Sequence, residues 1–152
     1  MIANRFSKKF KFKNWPNAKL PQVAAGVYVI WHGEQLIYAG MSGPEIEKAI
    51  KDGKKKYGII TRLASHANGR LSGDQFCVYL ANRIVIPELK QSQLAMFRDG
   101  EVTLDQMTRK FIRSKLDYQY LLVDKPQDAY DLEMHCRRGA VFGAKPFLNP
   151  AE

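Results

Sequence analysis

The sequence predicts an α/β (α+β) fold: a small, mainly antiparallel central sheet of three strands, a hairpin plus a third strand, flanked by helices and carrying a helix-and-strand insertion. Three observations predict it. Residues 24–31 and 35–39 are β-branched and aromatic runs separated by a short polar break at His32-Gly33-Glu34, the pattern of a β-hairpin. Ile59, Ile60, Leu63, Ala64 and Ala67 recur at helical spacing until the Asn68-Gly69 stop. A last helix over 127–138 ends at Gly139. The chain is 152 residues long, 45% hydrophobic and 26% charged, which suits one globular domain and is far from the composition of a disordered chain.

In chain order, residues 1–22 are rich in Lys, Phe, Asn and Pro without a clear period, and read as an arm laid over the domain. The core occupies about 23–81 and 126–150, with an insertion at about 82–125. After the hairpin comes a polar, lysine-rich stretch at 42–56, then the helix ending at Asn68. Residues 74–80 have the composition of the third strand. Within the insertion, 87–98 and 103–116 read as helices and 118–123 as a short further strand. The tail from Lys145 to Pro150 is irregular, because Pro146 and Pro150 interrupt any ladder.

The formal charge of +9 attracts polyanions before any specific contact forms, and nucleic acid is the natural partner. No stretch approaches the roughly 18 apolar residues of a membrane span, and no apolar signal core follows Lys8, Lys9, Lys11 and Lys13. No membrane association and a cytoplasmic location are therefore expected. Cys77 and Cys136 lie far apart and form no C-x-x-C pair, so they read as buried, reduced thiols.

Gly26-Val27-Tyr28 falls on the first hairpin strand and Tyr38-Ala39-Gly40 on the second. Strand residues alternate faces, so the two tyrosines pair directly only across an odd loop such as His32-Gly33-Glu34. A two-residue Gly33-Glu34 turn puts the phenols on opposite faces unless a bulge restores them. The odd loop is expected. Arg62 and His66, four apart, project from one face of their helix at the border of its apolar stripe. On the last helix Glu133 falls among Ala129, Tyr130, Leu132, Met134 and Cys136, inside the apolar arc. Desolvating an unpaired charge is expensive, so this carboxylate should be protonated, paired with a cation such as Arg62, or holding a metal.

Taken together, these segments resemble the GIY-YIG nuclease family. The paired tripeptides resemble those that name it. The family places an essential arginine on the middle helix, matched by Arg62, and one restriction-enzyme branch has a histidine four residues later, as Arg62-Leu63-Ala64-Ser65-His66 does here. The Glu133 helix resembles the family's glutamate-bearing helix. Lys145-Pro146-Phe147-Leu148-Asn149 resembles its K-P-x-x-N tail, which makes Asn149 the counterpart of an asparagine that helps shape the site and is a candidate substrate contact. The chain departs from the pattern in Val27, in Ala39 and in the long insertion, whose content the resemblance does not explain.

The resemblance implies a metal-dependent endonuclease that hydrolyses DNA phosphodiester bonds, with Tyr28, Tyr38, Arg62, His66 and Glu133 as its catalytic set. A lone cleft carboxylate, Glu133, suits one hard divalent ion, Mg²⁺ or Mn²⁺, held largely through water. Arg62 suits the scissile phosphate because its forked donors match phosphate oxygens. Tyr38 is expected on a phosphate oxygen and Tyr28 on the attacking water. A free phenol titrates near pH 10, about three units too high for an efficient base. Help is expected from His66 or from Lys54, Lys55 and Lys56, which also count as substrate-binding candidates. Arg109, Lys110, Arg113 and Lys115 form a second basic cluster. Double-stranded DNA is the expected partner, and a homodimer would cut both strands with one centre per chain. Two other readings stay open: a non-catalytic nucleic-acid-binding module of the same fold, and a basic RNA- or ribosome-associated protein with core tyrosines.

Overall fold

The computed structural model describes residues 1–150. Its strands are β1 (Phe10–Lys11), β2 (Val23–His32), β3 (Gln35–Ser42), β4 (Tyr57–Gly58) and β5 (Leu116–Val123). Its α-helices are α1 (Ile46–Lys51), α2 (Ile59–Asn68), α3 (Gln75–Leu80), α4 (Gln91–Arg98), α5 (Leu104–Lys115) and α6 (Pro126–Arg137). The sheet runs β1-β5-β2-β3 with antiparallel neighbours, and β4 adds in parallel to the start of β2. The class is α+β, as the sequence predicts.

Strand β2 is apolar on both faces because both faces are covered. Tyr28 and Ile30 enter one core with Leu63, Phe76, Leu80 and Ile112; Val27 and Val29 enter the other with Ala39, Ala129 and Cys136. Helices α2, α3 and α5 therefore pack on one side of the sheet and α6 on the other. The arm closes over both, with Phe12 and Leu20 in the first core and Phe6 in the second. Among the described residues no helix is long and apolar enough to cross a membrane.

The strand expected at 74–80 is helix α3, continued by a π-helical turn (Ala81–Val85) and a 3₁₀ turn (Ile86–Glu88). Phe76, Cys77, Val78 and Tyr79 suit a strand when seven residues are read alone. Over a longer window, buried residues recur at Phe76 and Cys77, Leu80 and Ala81, Ile84 and Val85, a four-residue period. Asp74 starts the helix, its carboxylate accepting from the Cys77 N–H at 3.0 Å. The place of the third long strand is taken by β5, paired along β2 from Ala25↔Val123 to His32↔Leu116. The segment 82–125 thus supplies an inner strand of the sheet. The helix expected at 87–98 starts only at Gln91, because the chain is extended at Leu89 and Lys90.

The expected odd loop is corrected too. His32 pairs with Gln35 around a two-residue Gly33-Glu34 turn, with Gly33 at φ 61°. A bulge between Ile30 and Trp31 then shifts the register, so that Ile30 faces Tyr38 and Tyr28 faces Gly40. The bulge restores the parity that the even turn removes. Tyr28 and Tyr38 become diagonal neighbours on one face, their ring centroids 6.3 Å apart.

Candidate active site

Four elements bring the expected catalytic side chains to one place. On α2, Leu63 and Ala67 bury the apolar stripe, and Arg62 and His66 flank it. His66 turns inward to 2% exposure beside Tyr28, also 2% exposed, while Arg62 stays in solvent. On α6, Ala129 and Cys136 face the sheet, and Glu133 shares that face with 15% of its side chain exposed. Tyr28, Tyr38, Arg62, His66 and Glu133 all line a cleft of about 280 Å³, with Gly40, Met41, Gly73, Gln75 and Phe76 completing the wall.

The cleft lies at the free edge of the sheet, which is why residues from both faces reach it. Strand β3 is the edge strand, and the tail covers part of it: the Phe147 and Leu148 N–H groups donate to the Leu36 and Ile37 carbonyls at 3.1 and 2.8 Å. Asn149 ends this cover, accepting from the Ala39 N–H at 2.8 Å and donating to the Ala39 carbonyl at 2.9 Å. Beyond it, Gly40 and Met41 are left to line the cleft. A larger hollow, about 350 Å³, is lined by Ile2, Arg5, the end of β5 and part of α6, but by none of the expected site residues.

His66 is bonded at both ring nitrogens. Nδ1 meets Asp74 Oδ2 at 2.7 Å and Nε2 meets the Tyr28 hydroxyl at 2.7 Å. Ser65 Oγ donates to the same Asp74 oxygen at 2.7 Å. Burial alone would raise the Asp74 pKa, but the bond and charge of His66, with the Ser65 and Cys77 donors, hold it down at about 2. Burial lowers the pKa of His66, and the Asp74 bond offsets only part of that. At neutral pH the pair is an aspartate beside a neutral imidazole. A carboxylate only accepts; with the proton on Nδ1, Nε2 is the acceptor for the Tyr28 hydroxyl.

Of the groups expected to assist Tyr28, His66 is the one in contact with its hydroxyl, at 2.7 Å. Burial, reinforced by Tyr38, raises the Tyr28 pKa well above its ordinary value, and Arg62 does not reverse this. A standing phenolate is thereby disfavoured, whereas a proton can leave Tyr28 directly for His66. Tyr38 is pushed up to about 12 by burial and by Glu133. Lys54, Lys55 and Lys56 are exposed and do not line the cleft; Lys54 instead sits 5.8 Å from the Tyr57 ring centroid. Asn149 does not line it either, and its amide is engaged on Ala39, so it braces the strand next to Tyr38.

Glu133 pairs with Arg137, one turn along α6, at 3.6 Å, and not with Arg62, the partner expected from the sequence. Burial still raises the Glu133 pKa over the opposing effect of Arg137. That leaves a carboxylate whose need for positive charge is only partly met. Among the described residues no three His, Cys, Asp or Glu side chains gather as a metal cluster. Among the described residues Glu133 is the one carboxylate in the cleft wall, and one carboxylate fits Mg²⁺, which commonly keeps several waters.

Sequence patterning does not single out Asp74, because a strand reading of 74–80 hides its capping position. The signal that does point to it is a Ser-Gly-Asp ahead of an apolar four-residue period. No protein-family model, curated protein or solved structure matches the chain.

Proposed function

We propose that the protein is a metal-dependent endonuclease that hydrolyses phosphodiester bonds in DNA. The observation that carries this reading is the meeting of Tyr28, Tyr38, Arg62, His66 and Glu133, drawn from β2, β3, α2 and α6, in one cleft. Core tyrosines alone would not require a buried histidine on one phenol, an exposed arginine and a largely buried carboxylate around the same hollow.

Hydrolysis joins a water oxygen to phosphorus and breaks the bond to the leaving oxygen, so the site must accept a proton and stabilise phosphoryl charge. Tyr28 takes the proton of the attacking water as its own passes to His66 Nε2. Asp74 faces the resulting imidazolium. Arg62, exposed and without a protein hydrogen bond or ion pair among the described residues, donates to the phosphate oxygens. Tyr38, kept protonated by its raised pKa, donates to another. Glu133 would hold Mg²⁺ or Mn²⁺, which when bound supplies positive charge to the phosphoryl oxygens.

The net charge of +9 supports a polyanionic substrate, with Lys54, Lys55 and Lys56 as backbone contacts outside the catalytic hollow. The test is supercoiled plasmid with Mg²⁺, run against Glu133→Gln and Tyr28→Phe. Nicking by wild type that both variants lose by about 10²-fold or more is the expected result. Binding without nicking by wild type overturns the enzyme reading.

A further inference from the structure

We propose that Asp74 is a positioning residue that fixes His66 in the one tautomer able to take a proton from Tyr28. Its catalytic consequence rests on the nuclease reading above, but the tautomer is a property of the folded chain. A neutral imidazole has one N–H, and which nitrogen carries it is set by the partner at the other. Here the partners are a carboxylate on Nδ1 and a hydroxyl, able to donate or accept, on Nε2, each at 2.7 Å. Only the carboxylate is restricted to accepting, so it decides.

The chain is built to hold that carboxylate. Gly69, with φ 73°, caps the end of helix α2, and Gly73, with φ 78°, returns the chain so that Asp74 lies against Ser65 and His66. Asp74 is 3% exposed and takes three hydrogen bonds: His66 Nδ1 and Ser65 Oγ on Oδ2, and the Cys77 N–H on Oδ1. The two donors besides His66 stop it turning away. Because its pKa lies at about 2, Asp74 does not take the proton onward. It stays ionised opposite the imidazolium formed when Tyr28 gives up its proton. The other groups around His66 do not compete for Nδ1: Phe76 and Tyr38 present rings at 4.7 and 6.0 Å between centroids, and Arg62 carries a like charge that lowers the His66 pKa.

The test is Asp74→Asn in the full chain, read by imidazole ¹⁵N spectroscopy and by plasmid nicking. In wild type at pH 7–8, Nδ1 should be protonated and Nε2 bare. Asparagine keeps the size and the carbonyl for Cys77 but presents an amide N–H to Nδ1, so His66 should move its proton to Nε2 and lose the Tyr28 donor. Nicking should fall about 10²- to 10⁴-fold in kcat with little change in KM, and recover in part as pH rises. Wild-type His66 protonated on Nε2, or an Asp74→Asn protein with unchanged tautomer and rate, overturns the proposal. A tautomer switch in a protein that never nicks DNA instead sinks the nuclease reading and leaves the hold of Asp74 on His66 standing. The wild-type spectrum needs no variant, so it decides the assignment even if Asp74→Asn fails to fold.

Discussion

Gly40 is the sharpest point at which the geometry can be challenged. It faces Tyr28 directly across the hairpin, and a Cβ added there would lie 2.5 Å from Tyr28 Cζ and closer still to the hydroxyl oxygen. Non-bonded carbons rest about 3.5–4.0 Å apart, so Gly40→Ala forces the ring back by roughly 1 Å. The ring is held in place: it is buried in the first core, and its hydroxyl is 2.7 Å from His66 Nε2. A retreat of about 1 Å takes that bond past its useful range of about 3.2 Å. Overpacking costs about 1–3 kcal/mol and an unsatisfied buried Nε2 about 1–3 kcal/mol more. At about 2–4 °C per kcal/mol for a domain of this size, the combined cost of about 2–6 kcal/mol lowers Tm by roughly 4–24 °C. Nicking should drop about 10²-fold from the same displacement. Thermal unfolding measures the first and plasmid nicking the second. The double variant Gly40→Ala with Tyr28→Phe removes the atom nearest the clash, so its Tm loss should be smaller than the sum of the single losses. A Gly40→Ala protein that melts within about 1 °C of wild type, against the overpacking expectation, would refute this packing of Tyr28.

Arg62→Ala should leave stability within about 0.5 kcal/mol, since the side chain is exposed and unpartnered in the cleft, while nicking collapses; equal losses in both would show a structural role. Asn149→Ala removes both bonds to Ala39 and should lower stability by about 1–3 kcal/mol, with faster hydrogen exchange at the Ala39 amide as the local readout. Protection at Ala39 equal to wild type would count against the bracing role. Acid stability follows from the pKa directions. Asp74 is depressed to about 2, so its contribution is present above its unfolded pKa of about 3.9 and is lost as pH falls through 2. His66 resists protonation when folded, so stability also declines as pH drops below its unfolded value of about 6.5. Glu133 is raised and acts in the opposite sense, with stability lost as pH rises from about 4.3 through its folded pKa. Denaturant midpoints from about pH 3 to 7 should fall toward acid, and Asp74→Asn should flatten the low end of that slope; a flat wild-type profile contradicts the buried Asp74–His66 pair.

The residues of the candidate cleft were legible in the sequence because each sits on an element with a recognisable pattern of its own. Tyr28 and Tyr38 lie in apolar strands, Arg62 and His66 flank the stripe of α2, and Glu133 interrupts the stripe of α6. Partners across elements were not legible. The cation nearest Glu133 proved to be Arg137 on its own helix, and the group on His66 Nδ1 proved to be Asp74, hidden by a seven-residue window that matched a strand.

By itself the sequence determined where the hairpin, α2, α5 and α6 lie and which stripe of α2 is buried, because burial along one element writes a period into its own residues. Tertiary structure alone decided the register of Tyr28 on Gly40, the seating of β5 against β2, and the approach of Asp74 to His66. These depend on a bulge, on strand order and on loop closure, where many chain paths satisfy the same local pattern and packing of the whole selects one.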